Sequence, residues 1–239
     1  MGYNKRASDA DSNAIVLSGA NKSLNGAEII RNVSFHVPYN SIYAIVGPNC
    51  AGKTTLLRLI TGLLTLDAGR IHFTGDAREV SVLLEHDYLF EAKTGRENLR
   101  DFASYLEIDQ AQVPAVTLKY AGLLQLDTAL NQKVATYSKG MRRKLSLLIT
   151  LLKDTPILML DELTSGVDPE ARRAMRGMLE LLKEEGKTVI ITSHDLAEVQ
   201  KISDWSTILI NGAVAETINL KDFTGDLEAR FFEVLEGSR

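Results

Sequence analysis

The stretch "GPNCAGKTT", residues 47 to 55, sets Gly47 and Gly52 on either side of four residues and follows them with Lys53, Thr54 and Thr55. This is G-x-x-x-x-G-K-[ST], a pattern with a mechanism. The glycines let successive backbone N–H groups converge on phosphate oxygens, and a following helix offers its positive end. Lys53 can reach the β- and γ-phosphates, and the Thr54 hydroxyl can ligate Mg²⁺. Gly47, Pro48, Asn49, Cys50, Ala51, Gly52, Lys53, Thr54 and Thr55 are therefore the expected nucleotide-binding set. The bland alternative is a plain strand-to-helix turn. A second chemical group is "ILMLDE", residues 157–162. Four apolar residues drive a strand into the core and deliver Asp161 and Glu162 at its end. Two adjacent carboxylates in an apolar setting are costly unless a cation or hydrogen bonds satisfy them. Asp161 is the expected metal ligand. A third is "TSHD", residues 192–195, which ends an apolar run at His194. A histidine read alone is more often a capping or core residue, but the C-terminal edge of a buried strand is where open α/β sheets bind ligands.

Positioning these groups needs strands that alternate with helices. "IVLS" (15–18) and "VSFHV" (33–37) read as short strands, with Asn40 and Ser41 as the turn after the second. "IYAIV" (42–46) is a continuous apolar run, the pattern of a strand buried on both faces, and it feeds straight into the phosphate loop. Leu56, Leu59 and Ile60 then fall at helical spacing, and Gly62 can close the helix. "RIHF" (70–73) and "VSVLL" (80–84) are further strands. The middle changes character. "TGRE" (94–97) is a capping box that predicts a helix to about Leu106, and residues 86 to 135 read as a helical insertion. "SKGMRRKLSLLITLLKD" puts Met141, Leu145, Leu148, Ile149 and Leu152 on one face. Asp168 and Pro169 start the next helix and Gly186 ends it. "TVIITSHD" (188–195) is another buried strand. "ILINGAVAE" (208–216) carries Asn-Gly between apolar runs, a hairpin signal. Leu227, Phe231 and Leu235 make a short terminal helix. The expected fold class is α/β, with a mostly parallel sheet core, an antiparallel β part and a helical subdomain. The expected division is a flexible tail 1–13, a core of 14–85 and 136–217, the helical insertion 86–135, and a C-terminal helical segment 218–239.

The bulk numbers exclude several classes. The 239 residues carry a net charge of −4, which argues against a general nucleic-acid binder, so no nucleic acid is expected as a partner. The single cysteine, Cys50, excludes an internal disulfide and fits a reducing compartment. Its place in the loop asks for a small residue that leaves the backbone free to curl, so it reads as a replacement for glycine and as an accessible thiol. No apolar run approaches the roughly 20 residues that cross a bilayer. The polar N-terminus is no signal peptide, and Arg6 stands where an acylation pattern needs Ser or Thr.

With these motifs in place, the chain resembles the ATP-binding cassette (ABC) family from residue 14 to about 217. "YSKGM" (137–141) resembles the family's signature sequence, "SGVD" (165–168) its D-loop, and "TSHD" its switch histidine. The resemblance implies the ABC ATPase form of the P-loop NTPase fold, with ATP and Mg²⁺ as cofactors. It implies two cassettes paired head to tail, as a homodimer or heterodimer, around two ATP molecules. Glu162 would polarise the attacking water and His194 would contact the γ-phosphate. Ser138, Lys139, Gly140 and Met141 would face the partner's ATP, and Asp168 would lie at the dimer seam. Thr54, Asp161 and Glu85 would be the metal ligands. Three positions depart from the common pattern. Leu24 stands where the family stacks an aromatic on adenine, Glu85 where it has glutamine, and Lys139 where the signature has glycine. Arg142, Arg143 and Lys144 crowd the positive end of a helix, where cations are unfavourable. They read either as a solvated face or as a hint of a phosphate or partner. The implied function is an ATP-hydrolysing subunit of a transporter, cytoplasmic and peripheral on the inner face of the membrane. It would drive a separate integral membrane subunit. The ending "GDLEARFFEVLEG" resembles subunits of small bacterial exporters and favours export. The alternatives are a non-transport cassette ATPase and a regulatory subunit that hydrolyses weakly.

Overall fold

The structure, a computed structural model, describes residues 12–74 and 79–237. β1 (Asn13–Leu24) and β2 (Ala27–Pro38) form an antiparallel hairpin, and β4 (Ala68–Phe73) pairs with the free edge of β1. The turn residues Asn25 and Gly26 have φ of 51° and 80°, the mirror-image turn that suits a twisted ribbon. Both strands run well past the short segments expected at 15–18 and 33–37. Register shifts between Leu17 and Ala20 and between Ala20 and Lys22 break the two-residue alternation, so the periodic signal covers only part of each strand. Asn13 pairs with Pro38, and Ser12 accepts a hydrogen bond from the Tyr39 N–H, so the tail expected over 1–13 is anchored at its last two residues. Its first eleven residues lie outside the described set.

The second sheet has six strands in the order β5 (Val80–Leu83), β6 (Ile157–Asp161), β7 (Thr188–Ser193), β3 (Ile42–Val46), β8 (Trp205–Ile210) and β9 (Ala213–Asn219). The first five are parallel, and β9 returns antiparallel through Asn211 and Gly212, both at positive φ. β3 is buried along its whole length. Its Ile42, Ala44 and Val46 join one core with the helical side of the sheet. Tyr43 and Ile45 join a second core with α1 (Lys53–Ile60) and the three-stranded sheet. That double burial is why the strand reads as an unbroken apolar run.

Between β5 and α4 (Lys139–Thr150) lie α2 (Gly95–Tyr105) and α3 (Gln112–Tyr120). Thr94 and Glu97 form both bonds of the expected capping box. Ser138 caps α4 by accepting from the Met141 N–H, and Asp168 caps α5 (Pro169–Glu184) by accepting from the Ala171 N–H. A short α6 (Leu196–Ile202), which the sequence pattern does not announce, follows β7. α7 (Leu227–Gly237) closes the chain with Leu227 and Phe231 buried. Among the described residues no helix is long and apolar enough to cross a membrane.

Candidate nucleotide site

The chemistry-bearing residues meet at the carboxyl edge of the parallel strands. β3 ends at Val46 and turns into the phosphate loop, β6 ends at Asp161, and β7 ends at Ser193, next to His194. The loop's shape is set by backbone approach. A Cβ on Gly47 would stand 2.3 Å from the carbonyl oxygen of Leu209, so only glycine lets the chain leave β3 there. Gly52, the residue before α1, has φ of 101° and would drive a Cβ to 2.8 Å from Ile30 Cδ1. Cys50 has φ of 64° and is exposed, a left-handed position that disfavours a side chain. Lys53 is buried, and its ammonium donates to the carbonyls of Gly47 at 2.8 Å and Pro48 at 3.2 Å. The cation thus holds the loop it belongs to.

Asp161 is buried and its carboxylate is oriented from two sides. Thr54 donates its hydroxyl to Oδ2 at 3.0 Å, and Thr192, directly across the ladder on β7, donates to Oδ1. The same Thr192 oxygen accepts the Glu162 N–H at 3.0 Å. Glu162 itself has φ of 49°, a strained conformation of the kind found at active sites. Its Oε2 lies 2.8 Å from Nδ1 of His194, whose side chain is 58% exposed. Burial pushes the Glu162 carboxyl above the ordinary glutamate value, Asp161 adds to the rise, and His194 and Lys53 oppose it. A raised value makes the carboxylate a better proton acceptor near neutral pH. Asn49, Cys50, Lys53, Thr54, Thr55, Glu85, Glu162, Ser165 and His194 line one cleft, with Ile29 of β2 at its wall.

A family model described as "ABC transporter" matches residues 30–165, more than half of the 239. The chain belongs to the ABC transporter family. The lantibiotic transport ATP-binding protein SrtF of Streptococcus pyogenes is 31% identical over 199 residues, covering 81% of this chain and 85% of that protein. The Nod factor export ATP-binding protein I of Rhizobium sp. (strain N33) is 31% identical over 208 residues, covering 83% and 68%. A solved ATP-binding subunit of an ABC transporter superposes with a TM-score of 0.83 at 24% identity, covering 93% of this chain and 99% of that one. The ADP conformation of another ABC cassette gives 0.81 at 20% identity, covering 94% and 99%. The fold is that of the family's ATP-binding cassettes.

In this ABC cassette the residues that resemble the signature sequence stand apart from the cleft lining, at the start of α4. Ser138 is the cap. A Cβ on Gly140 would lie 2.8 Å from both Ala171 Cβ and Asp168 Oδ2, so glycine lets α4 press against the start of α5. Lys139 sends its ammonium to Gly166, where a Cβ would be 2.4 Å from Nζ. Met141 is packed against the main core. Glu85 is exposed at the cleft. Leu24 does not line it; Ile29 supplies the aliphatic wall instead. A solvated face is wrong for two of the three consecutive cations at 142–144. Arg143 and Lys144 are buried; Arg143 is held by main-chain carbonyls, and Lys144 is lowered by burial against the pull of Asp168 and Glu170. Sequence reasoning misses Thr192 and Arg143. Thr192 is legible as the residue facing Asp161 once β6 and β7 are adjacent. Arg143's partners leave no sequence mark.

The donors suit Mg²⁺. Thr54 and Asp161 offer hard oxygens on one side of the loop, and Mg²⁺ is commonly held by one or two carboxylates plus phosphate and water. Among the described residues no group of three or more His, Cys, Asp or Glu side chains forms a metal cluster.

Proposed function

We propose that the chain binds MgATP in this cleft and hydrolyses it to drive a separate membrane subunit of an exporter. The observation that carries the reading is the hydrogen bond between His194 and Glu162, in the cleft that the phosphate loop also lines. Backbone N–H groups from Asn49 to Thr55 and the Lys53 ammonium bind the phosphates, with Lys53 exchanging its loop carbonyls for phosphate oxygens. Thr54 and Asp161 would hold Mg²⁺, with Glu85 within the same cleft. Held there, Mg²⁺ would supply neutralisation of the charge on the β- and γ-phosphates. Glu162 polarises a water and takes up its proton as the water oxygen attacks the γ-phosphorus, the bond to the β-phosphate oxygen breaks and ADP leaves with the bonding pair. His194 fixes the Glu162 carboxylate and reaches the γ-phosphate from the exposed side. Phosphoryl transfer of this kind rests on positioning and charge, which this set supplies.

A second cassette, identical or related, would complete the site. Ser138, Lys139, Gly140 and Met141 would face the partner's ATP, and Asp168 would stand at the seam. Residues 86–135 would carry the membrane subunit. An apolar groove supports this: Leu83, His86, Tyr88, Leu89, Phe102 and Tyr105 line it, and Tyr105 and Tyr88 are 82% and 70% exposed. Export follows the names of the relatives, lantibiotic transport and Nod factor export. The location is then the inner face of the membrane. The experiment is copurification in mild detergent followed by an ATPase assay of the complex. A multi-spanning membrane polypeptide with ATPase activity in the complex is expected. ATP hydrolysis without any membrane partner would favour a non-transport cassette instead.

A further inference from the structure

Arg143 leaves α4 on its inner side, and its side chain is 3% exposed. Its guanidinium donates to two separate stretches of main chain. On one side it reaches the carbonyls of Asp161 and, at 3.2 Å, Leu163, the residues that flank Glu162. On the other side it reaches the carbonyls of Leu84 at 2.6 Å and Glu85 at 3.2 Å, and the Asp87 carboxylate at 3.1 Å. The β5–β6 ladder ends at the pair Leu83 and Leu160. Beyond that pair the two strands have no ladder of their own, and one planar cation takes its place. An arginine fork suits this task because its donors are fixed relative to one another, which a lysine ammonium does not match.

The two stretches differ in what they serve. Residues 161–163 carry the strained Glu162 peptide. Residues 84–89 carry Glu85 into the cleft and then His86, Tyr88 and Leu89 into the apolar groove. We propose that Arg143 is a positioning residue for hydrolysis: it locks the Glu162 peptide to segment 84–87, so that the state of the groove is registered at the catalytic carboxylate. This rests on the reading of the site as an ATPase. Arg143 does not line the nucleotide cleft and acts through the two main-chain stretches and the Asp87 carboxylate.

The test uses Arg143→Lys and Arg143→Ala in the complex with the copurified membrane subunit. MgATP affinity by calorimetry should stay at the parent value, because the phosphate loop is untouched. Turnover should fall by about tenfold to 10²-fold, as expected for a misplaced reacting group. Lysine should not rescue, since it lacks the fork, while added methylguanidinium should restore part of the turnover of Arg143→Ala. Hydrogen exchange at residues 84–91 should accelerate in both variants. Parent turnover in Arg143→Lys, or unchanged exchange at 84–91 in both variants, would overturn the proposal. So would loss of nucleotide affinity in step with turnover, which marks a purely structural role. A parent complex that binds MgATP and never hydrolyses it would instead sink the ATPase reading. The exchange measurement needs no turnover and decides on Arg143 even then.

Discussion

Nδ1 of His194 lies 2.8 Å from Oε2 of Glu162, and the backbone N–H of that same glutamate is held by Thr192, two residues before the histidine. β7 and the turn after it therefore fix the Glu162 residue at both its backbone and its carboxylate. His194→Ala should lower turnover by about 10²-fold or more, the size typical of a lost acid–base partner. The melting temperature should change little, because the histidine is largely exposed. Steady-state kinetics beside calorimetry checks this. A variant with parent turnover would show that the Glu162 contact is incidental.

Cys50 sits in the left-handed region on the exposed lip of the loop. Cys50→Gly should keep MgATP binding and add up to about 1 kcal/mol of stability, since glycine accepts that conformation, less its greater entropy loss. In the parent, alkylation of the thiol should block MgATP by adding bulk to the loop, and saturating MgATP should protect it. Mass spectrometry reads the result at this single cysteine. Equal labelling with and without MgATP would remove Cys50 from the nucleotide site.

Asp204 anchors the far side of the parallel sheet. It accepts from the Ile42 N–H at 2.8 Å, from Lys183 at 2.6 Å and from Lys221 at 3.1 Å. Burial alone would raise this carboxyl, but Lys183, the Ile42 N–H and Lys221 together hold it below the ordinary value of 3.8. A value lower in the folded chain than in the unfolded one stabilises the fold above about pH 4 and loses that stability as pH falls through the folded value. Asp204→Asn should cost about 1–3 kcal/mol at pH 7, because Lys183 is left without its partner. The variant should also show a flatter loss of melting temperature on acidification. An acid slope equal to the parent's would contradict the assignment.

Much of the site is legible in the sequence because its chemistry is local. The phosphate loop, the caps at Thr94, Ser138 and Asp168, and the Asn211-Gly212 hairpin each depend on a few neighbouring residues. Asp161, Glu162 and His194 are visible because apolar runs end on them. The rest depends on through-space pairing. Thr192 meets Asp161 only through the β6–β7 register. Ile29 reaches the cleft wall from a strand whose pairing register is broken by bulges. Arg143 stands in a row of three cations that reads either as a solvated face or as a hint of a phosphate or partner, yet its partners are mostly carbonyl oxygens, which every residue type carries.

The proposed mechanism turns on Glu162 as the hydrolytic carboxylate. The decisive quantity is the single-turnover ATPase rate of Glu162→Gln in the assembled transporter, with MgATP affinity measured on the same sample. Glutamine keeps the size and the contact with His194 but removes the charge that draws a proton from water. The expected rate is lower by about 10²-fold or more with MgATP still bound. A rate near the parent's, with the variant folded and saturated with nucleotide, would contradict that role for Glu162.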